Sequence, residues 1–365
     1  MKSAKAILEI LEGHRGERHI IILHEYPDPD AIAVGYAHRI ISAAFDIDAD
    51  ILYSGKISHP QNLALIRALD YSLIPFEEGF DFSRYDSAVF VDHQGTTVDE
   101  IVNHLKAAGV NLAIVVDHHE DQNQYEAEYK DIRKAGSTAT IYAQYLKQGL
   151  IELETSNKDQ VMMATALMHG IMTDTSSFIR ATDEDLQAAA FLSNYRDAEL
   201  LNLIMSQSRT KQVMDIIHQA LENRVNVENY SIAGVGYLRA EDRDAIPEAV
   251  DFLLTEENVH TTIVYGIVRN DAHEEMLIGS LRTDKYTLNP DEFIKDAFGK
   301  DSSGHYFGGG KLSAGGFAIP VGFLSGDYQK EFNQLKWDVY DKQIKAKLLA
   351  KIGIDPDQPI DEETQ

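Results

Sequence analysis

The chain of 365 residues contains no cysteine, which excludes disulfide bonds and thiolate zinc sites and leaves His, Asp and Glu as the available metal ligands. Basic residues are also scarce, since 33 Lys and Arg stand against 59 Asp and Glu, for a net charge of −26. Such an acidic surface opposes a broad electrostatic grip on duplex nucleic acid. No apolar run reaches the length of a membrane span, and the N-terminus has an amphipathic helix pattern unlike a signal peptide. The composition therefore predicts a cytoplasmic protein that does not bind membranes.

Short apolar runs, in contrast, recur along the first half of the chain, and helical patterns separate several of them. These runs cover residues 19–23, 49–54, 87–92 and 112–117. Runs of Val and Ile that alternate with helices are typical of a parallel sheet covered on both faces, so we predict an α/β fold. A helical pattern follows from about Asp159 to His218, and short strands begin near residue 225. We predict a domain over 1–195, a linker helix over 196–225, a smaller α/β domain over 226–345 and an acidic tail over 346–365.

Carboxylates follow three of the apolar runs directly, and a fourth follows another apolar segment. Open parallel sheets collect their ligands at the carboxyl ends of their strands, so these side chains are expected to meet at one edge. The residues in question are His24, Asp28 and Asp30, then Asp92, then Asp117, His118 and His119, and finally Asp174. Taken singly, an aspartate after a strand is more often a helix cap or a turn residue. In the same way, Ser137 or Thr138 is most simply the cap of a following helix.

Taken together, the five aspartates of this set would repel one another strongly unless positive charge lay between them. Divalent metal ions supply that charge. A mixed set of imidazoles and carboxylates suits manganese, with magnesium or cobalt as substitutes, and one carboxylate can bridge two ions. The sequence therefore predicts a metal centre at the carboxyl edge of the sheet.

Five motifs occur in a fixed order along the chain: HEYPDPDA at 24–31, VDH at 91–93, DHH at 117–119, TDT at 173–175 and GGGKLSAGG at 308–316. In this order they resemble the DHH–DHHA1 phosphoesterases, a family that includes nanoRNases, pAp phosphatases and cyclic-di-AMP phosphodiesterases. The resemblance covers roughly residues 5–340. It implies a DHH catalytic domain over 1–195 and a DHHA1 substrate-binding domain over 226–345, with the active site in the cleft between them.

The resemblance also implies two metal ions, with Asp92 as the bridging ligand. The other implied ligands are His24 and Asp28 for the first ion and Asp30, His118 and Asp174 for the second. Asp117 is then expected to orient an imidazole, and His119 to point at the substrate phosphate, which makes Asp92, Asp117 and His119 the expected catalytic residues. The implied mechanism is two-metal hydrolysis, in which ions roughly 3.5–4 Å apart lower the pKa of a bridging water and neutralise phosphate charge.

The glycine cluster at 308–316 has two interpretations. Glycines permit close approach of a ligand and can expose backbone N–H groups to an anion, but the same residues fit a tight turn packed against its own domain. The family has a histidine where this chain has Lys311, and His305 is a second candidate for that role. Besides His119, the expected substrate-binding residues are Arg282, His305, Gly308, Gly309, Gly310 and Lys311.

The function implied by the resemblance is hydrolysis of short nucleotides to mononucleotides with two manganese ions. The expected substrates are short single-stranded RNA, pApA, pAp or a cyclic dinucleotide, and the expected assembly is a homodimer. One alternative is an inorganic pyrophosphatase or short polyphosphatase, because His93 in VDHQ resembles that branch, although its Lys/Arg-rich motif is not found here. The other alternative is a catalytically silent nucleotide-binding module, against which the complete ligand set argues.

Overall fold

The structure is a computed structural model that describes residues 4–55, 57, 60–207, 209–269, 274–311, 313–326 and 330–355. The chain divides into two compact units, Met1–Ser208 and Arg209–Gln365, each with its own sheet. Within the described ranges, every helix is too short or too polar to cross a membrane.

Unit 1 contains a six-stranded sheet in which every neighbouring pair of strands is parallel. Its strands are β1 (Arg18–Ile22), β2 (Asp48–Tyr53), β3 (Ile74–Pro75), β4 (Ser87–Val91), β5 (Asn111–Asp117) and β6 (Tyr129–Ile132). Their order is β3-β2-β1-β4-β5-β6, so the direction of winding reverses between β1 and β4. In open parallel sheets this reversal point is where ligands bind.

Eight helices accompany this sheet within the described part of unit 1: α1 (Ala4–Gly13), α2 (Pro29–Ala43), α3 (Pro60–Leu69), α4 (Asp99–Ala108), α5 (Thr138–Lys147), α6 (Lys158–Asp174), α7 (Asp183–Leu192) and α8 (Ala198–Met205). Side chains of β1 alternate between two cores, as a strand with a period of two residues requires. Ile20 and Ile22 pack with α4 on one face, whereas Ile21 and Leu23 pack with α2, α5 and α6 on the other. The predicted parallel sheet covered on both faces is confirmed.

Unit 2 is built on a mixed sheet in the order β11-β12-β10-β9-β8-β7, where β8 and β9 are parallel and the other pairs antiparallel. Its strands are β7 (Val225–Val227), β8 (Tyr230–Arg239), β9 (Thr261–Arg269), β10 (Glu275–Thr283), β11 (Gly308–Lys311) and β12 (Ala314–Pro320). Its helices are α9 (Lys211–Asn223), α10 (Ala245–Leu253), α11 (Pro290–Phe298) and α12 (Lys330–Lys351). Helices α9 and α10 pack on one face of the sheet and α11 and α12 on the other.

Two predicted boundaries differ from the structure. The stretch 196–225, predicted as one linker helix, contains α8 in unit 1 and α9 in unit 2. The side chain of Thr210 accepts the Val213 N–H and so starts a new helix there, a capping signal that overrides the continuous apolar periodicity. The acidic tail was predicted from 346, but residues 346–351 belong to α12, in which Leu348 and Leu349 are buried in the unit 2 core. Residues 356–365 of the predicted tail lie outside the described ranges.

Candidate metal centre

The candidate ligands converge at the carboxyl edge of the unit 1 sheet, where the strand order reverses. His24 lies two residues beyond β1, and Asp92 directly follows β4. Asp28 caps α2 by accepting the Ala31 N–H at 3.0 Å. Asp30 lies in the first turn of the same helix, so the turn after β1 delivers three candidate ligands to this edge.

His118 follows the last residue of β5, and Asp174 is the last residue of α6, so two further elements complete the set. Candidate ligand atoms in each group lie within 4.8 Å of one another. The groups are His24, Asp28 and Asp92, then Asp30, His118 and Asp174, and then Asp92, His118 and His119. The structure therefore brings together all six residues predicted as metal ligands, with Asp92 in two of the groups.

The His24 ring is oriented by the backbone. Its Nδ1 lies 2.8 Å from the Glu25 carbonyl, and because a carbonyl can only accept, Nδ1 carries the proton. Its Nε2 lies 3.8 Å from Asp28 Oδ1 and 3.7 Å from Asp92 Oδ2, which is longer than a hydrogen bond. In the neutral ring the Nε2 lone pair consequently faces the space between two carboxylates.

The His118 ring repeats this arrangement on the other side of Asp92. Its Nδ1 lies 3.1 Å from the Ala135 carbonyl and therefore donates, while Nε2 lies 3.6 Å from Asp92 and 3.5 Å from Asp174. A metal-binding histidine characteristically donates its other N–H to a carbonyl or carboxylate in this way. Both imidazoles are thus held in the tautomer that can coordinate a cation through Nε2.

Asp30 is completely buried and anchored by the N-terminus of α5. Its carboxylate accepts the N–H groups of Thr138 at 2.7 Å and Ala139 at 3.0 Å. Gly170 of α6 leaves the necessary space, because a Cβ atom there would lie 2.7 Å from Asp30 Oδ1. Burial and the nearby Asp28 charge together raise the pKa of Asp30 to about 7.

Asp92 turns the chain away from β4 in the left-handed region, with φ of 64°, which aspartate adopts more readily than most residues. Its buried carboxylate accepts a hydrogen bond from the Thr138 hydroxyl at 2.7 Å. Burial, followed by the charges of Asp30 and Asp28, raises its pKa well above the ordinary value. Ser137 is the actual cap of α5, so the Thr138 hydroxyl is not used as a cap and donates to Asp92 instead. Only a capping role was predicted for these two residues from the sequence.

The electrostatics of the group fit a divalent cation. Burial, Asp30 and Asp28 raise the pKa of Asp174 to about 9. Asp28 differs: burial raises its pKa, but His24 and the backbone N–H groups of Ala31 and Asp30 together outweigh burial, so the net pKa is lowered. At neutral pH the three carboxyl groups with raised pKa values need either protons or nearby positive charge, and the inward-facing imidazole lone pairs are placed so that a metal ion could supply that charge.

Asp117 is buried beside this group and holds the His119 ring. It accepts from His119 Nδ1 at 2.8 Å, from the His119 backbone N–H at 3.2 Å and from Gln94 Nε2 at 2.7 Å. Burial raises the pKa of Asp117, but the hydrogen bonds from His119 and Gln94 outweigh it and leave the pKa below the ordinary value. The imidazole that Asp117 orients is therefore His119, and Gln94, which had no predicted role, fixes Asp117 from the other side.

His93, which suggested the pyrophosphatase alternative, is used by the backbone. Its Nε2 donates to the Ile22 carbonyl at 2.9 Å, and its Nδ1 accepts the Gly95 N–H at 2.9 Å. The ring stacks on Phe90 and is buried, and burial lowers its pKa to about 4. Both ring nitrogens are hydrogen-bonded to the backbone. His93 therefore positions the turn after β4, and neither nitrogen is available to bind a metal ion or a substrate.

The candidate substrate residues in unit 2 have more ordinary surroundings. Arg282 of β10 pairs with Asp251 at 3.2 Å and donates to the Ser280 hydroxyl at 3.2 Å. His305 is 84% exposed, and Lys311 is an exposed residue at the end of β11. Their part in substrate binding stays a prediction.

The glycines of β11 are required by local packing. A Cβ atom at Gly308 would lie 2.2 Å from the Gly316 carbonyl, and one at Gly309 would lie 2.6 Å from an Asp291 oxygen. The Gly310 N–H donates to Asp291 at 3.1 Å, so this amide is already occupied. The interpretation as a tight turn packed against its own domain explains these glycines, and anion binding by their backbone is a separate prediction.

Comparison with known proteins agrees with this architecture. The family model described as the DHH family, N-terminal domain, matches residues 18–171. The uncharacterized protein MJ1633 of Methanocaldococcus jannaschii is 35% identical over 350 residues, which cover 95% of this chain and 66% of that protein, slightly less than two thirds of its length. A crystal structure of an exopolyphosphatase-related protein from Bacteroides fragilis superposes with a TM-score of 0.65 at 16% identity, covering 94% of this chain and 97% of that one.

RecJ from Thermus thermophilus, crystallised with Mn²⁺, gives a TM-score of 0.43 at 13% identity and covers 93% of this chain and 55% of that one.

The fold and the site define an α/β protein with a His- and Asp-rich centre at the switch point of a parallel sheet. Residues 18–171 of this chain are thus similar to the N-terminal domain of the DHH family. The motif of that name is Asp117, His118 and His119.

Proposed function

We propose that this protein is a manganese-dependent phosphoesterase that uses two metal ions to hydrolyse short nucleotides to mononucleotides. The match of residues 18–171 to the DHH family, N-terminal domain, supports the broad class, a phosphoester hydrolase. The observation that carries the metal part of the proposal is the geometry around Asp92, where His24 and His118 each direct Nε2 toward Asp92 and one further carboxylate at 3.5–3.8 Å. Two imidazole nitrogens and four carboxylates within reach of one another form a donor set that suits Mn²⁺.

Each candidate ligand has a place in this proposal. His24, Asp28 and Asp92 would hold one ion, and Asp30, Asp92, His118 and Asp174 the other. When bound, the ions supply positive charge beside the phosphate and lower the pKa of a coordinated water. The chain fixes the ligands beforehand, because Asp30 and Asp92 are already oriented by hydrogen bonds from the first residues of α5.

His119 is proposed to contact the substrate phosphate. One of its ring nitrogens lies within 4.8 Å of ligand atoms of Asp92 and His118, beside the proposed ions. Asp117 Oδ1 accepts a hydrogen bond from His119 Nδ1, with 2.8 Å between the two atoms, and this contact fixes the plane of the ring. Nearly half of the His119 side chain is exposed, as a group that meets a substrate from solvent must be.

Arg282 and Lys311, with His305 as a second candidate, are proposed to bind the phosphates of the substrate. A chain of net charge −26 repels anions at long range, so an anionic nucleotide needs cations placed locally. The same acidity favours short single strands over long duplexes, because few counterions would be released on binding.

A substrate panel tests the proposal. The full-length protein is incubated with Mn²⁺, with Mg²⁺ or with EDTA, and each mixture receives a 5′-phosphorylated dinucleotide, pAp, a cyclic dinucleotide, pyrophosphate or tripolyphosphate. Products are separated by chromatography. We expect mononucleotide release from the dinucleotide with Mn²⁺ and no release with EDTA. A matched 30-base-pair RNA duplex at the same salt concentration serves as the substrate control and should remain intact.

Other outcomes identify the alternatives. Phosphate release from pyrophosphate or tripolyphosphate without turnover of any nucleotide would replace the proposal by a pyrophosphatase or polyphosphatase. Binding of a dinucleotide with no turnover under every metal condition would indicate a silent nucleotide-binding module.

A further inference from the structure

A second group of potential metal ligands lies at the opposite edge of the unit 1 sheet. His14 follows α1, Glu17 precedes β1, and His19 is the second residue of β1. In the parallel register, His19 lies beside Ser87, the first residue of β4. The five residues of β1 separate this group from the carboxyl edge by roughly 16 Å, since a strand rises about 3.3 Å per residue.

The side chains of this group converge on one carboxylate oxygen. Glu17 Oε2 lies 2.7 Å from His14 Nδ1, 3.2 Å from His19 Nε2 and 2.8 Å from the Ser87 hydroxyl oxygen. Candidate ligand atoms of His14, Glu17 and His19 all lie within 4.8 Å of one another. Two imidazoles and a carboxylate therefore surround a common point, and a hydroxyl group lies beside it.

The far nitrogen of the His14 ring is arranged as in a metal site, and that of the His19 ring is buried. His14 Nε2 lies 3.1 Å from a Glu128 oxygen, which gives this ring the carboxylate partner that often orients a metal-binding histidine. His19 is completely buried, and its Nδ1 has no hydrogen-bond partner among the described residues. Among the described residues, the hydrogen bond of this buried ring is therefore the one between His19 Nε2 and Glu17.

The charges of the group suit a divalent cation. Both ring nitrogens of His14 face carboxylate oxygens, Nδ1 that of Glu17 and Nε2 that of Glu128. A divalent ion held by two neutral imidazoles balances the charges of the two carboxylates.

We propose that His14, Glu17 and His19 bind one Zn²⁺ ion through Nδ1, a carboxylate oxygen and Nε2 respectively, with a water molecule as the fourth ligand. Imidazole and carboxylate ligands in fourfold coordination suit zinc, whereas Mn²⁺ and Mg²⁺ prefer oxygen-rich sites. Ligands of a tetrahedral zinc ion lie about 3.3 Å apart, so the His14 and Glu17 atoms must separate by about half an ångström. Glu17 lies in a turn and is partly exposed, which allows this movement.

The ion would tie the turn between α1 and β1 to the amino edge of the sheet. Glu17 already contacts Ser87 of β4, and Glu128 directly precedes β6, so three chain segments meet there. This role is structural and is independent of the reaction proposed for the carboxyl edge.

Zinc content measures the proposal directly. Full-length wild type and Glu17→Gln are loaded with Zn²⁺, dialysed against the same buffer and analysed by plasma mass spectrometry. Glutamine preserves the shape of Glu17 but removes its charge. Because the carboxyl-edge residues are the same in both proteins, we expect Glu17→Gln to bind about one Zn²⁺ per chain less than wild type. Glu9→Gln, which changes an exposed carboxylate of α1, is the matched control and should bind as much as wild type.

Equal zinc contents of wild type and Glu17→Gln would overturn the proposal. If Glu17→Gln does not fold, His14→Gln replaces it, and the same deficit of about one Zn²⁺ is expected. Asp92→Asn separates the two sites, because it should lose zinc from the carboxyl edge and keep the ion at the amino edge. The zinc deficit of Glu17→Gln should persist even if the protein hydrolyses no nucleotide.

Discussion

The two units place their candidate functional residues in contrasting ways. In unit 1, Asp30 and Asp92 are buried, and His118 is held by a backbone carbonyl, all at one edge of a parallel sheet. In unit 2, Lys311 is exposed at the end of a strand of a mixed sheet, and His305 is exposed in the loop before that strand. Parallel strands end at a common edge, so the fold itself assembles residues that are far apart in sequence. A mainly antiparallel sheet supplies no such edge, and each residue depends on its local surroundings.

The largest effect is expected at Asp92, the residue shared by both groups of candidate ligands. Asp92→Asn should reduce kcat by roughly 1000-fold, since loss of metal charge stabilisation is worth several kcal/mol and each 1.4 kcal/mol is tenfold. Asparagine tolerates the left-handed φ of 64°, so the fold should persist. Turnover with Mn²⁺ and far-UV circular dichroism test both statements.

Glu100→Gln, at an exposed position of α4, is the control for removal of one negative charge and should retain full turnover. Near-normal turnover of Asp92→Asn at saturating Mn²⁺ would exclude Asp92 as the shared ligand and remove the main evidence for preorganisation in unit 1.

An intermediate effect is expected at Thr138, whose hydroxyl donates to Asp92 at 2.7 Å. Thr138→Val keeps the size and the backbone N–H to Asp30 but removes the hydroxyl. Groups that orient metal ligands are typically worth 10- to 100-fold, so we expect kcat to fall about tenfold and the concentration of Mn²⁺ required to rise. Thr138→Ser restores the hydroxyl and should restore most of the activity. Equal kinetics for the valine and serine variants would show that the contact with Asp92 has no functional effect.

A smaller effect is expected in unit 2, at Lys311. If its ammonium group binds a terminal phosphate in both the ground state and the transition state, Lys311→Ala should raise KM and leave kcat nearly unchanged. An exposed charge pair is worth at most about 1 kcal/mol, so the increase in KM should be about fivefold. Steady-state kinetics on a 5′-phosphorylated dinucleotide and on its dephosphorylated counterpart measure the difference.

The matched variant for Lys311 is His305→Ala, because His305 is the second candidate for the same role. Damage to His305→Ala with a silent Lys311→Ala would transfer the role to His305. A Lys311→Ala penalty of equal size on both dinucleotides would rule out recognition of the terminal phosphate.

The same contrast decides what could be predicted from the sequence. Asp92 and His118 were predictable because a buried parallel strand ends abruptly on a polar residue, and all such ends meet at one edge. The contact of Thr138 with Asp92 joins residues 46 positions apart and depends on where α5 begins, which no local pattern records. The glycines of β11 were ambiguous for the same reason, because their requirement arises from residues of other elements, such as Gly316 of β12 for Gly308 and Asp291 of α11 for Gly309.

The smallest effect concerns stability and contrasts a buried histidine of unit 1 with an exposed one of unit 2. His38 of α2 is completely buried and bonds the Tyr142 hydroxyl at 2.8 Å, and burial lowers its pKa from 6.5 to about 3. A base with a depressed folded pKa contributes its full stability above the unfolded pKa and loses it as pH falls toward the folded pKa. Between pH 7.5 and 5.5 this loss is about 1.4 kcal/mol, because the unfolded chain gains a proton that the folded chain does not.

His38→Gln keeps a polar partner for Tyr142 but cannot titrate, so its free energy of unfolding should fall about 1.4 kcal/mol less than that of wild type over this pH range. Urea unfolding of unit 1 at pH 7.5 and at pH 5.5, with EDTA present, measures this difference in the free energy of unfolding. The control is His218→Gln on α9, which removes a histidine whose side chain is 70% exposed. An unchanged acid-induced loss in His38→Gln would mean that the His38 ring accepts a proton inside the folded protein, and burial in unit 1 would then be less complete than its contacts indicate.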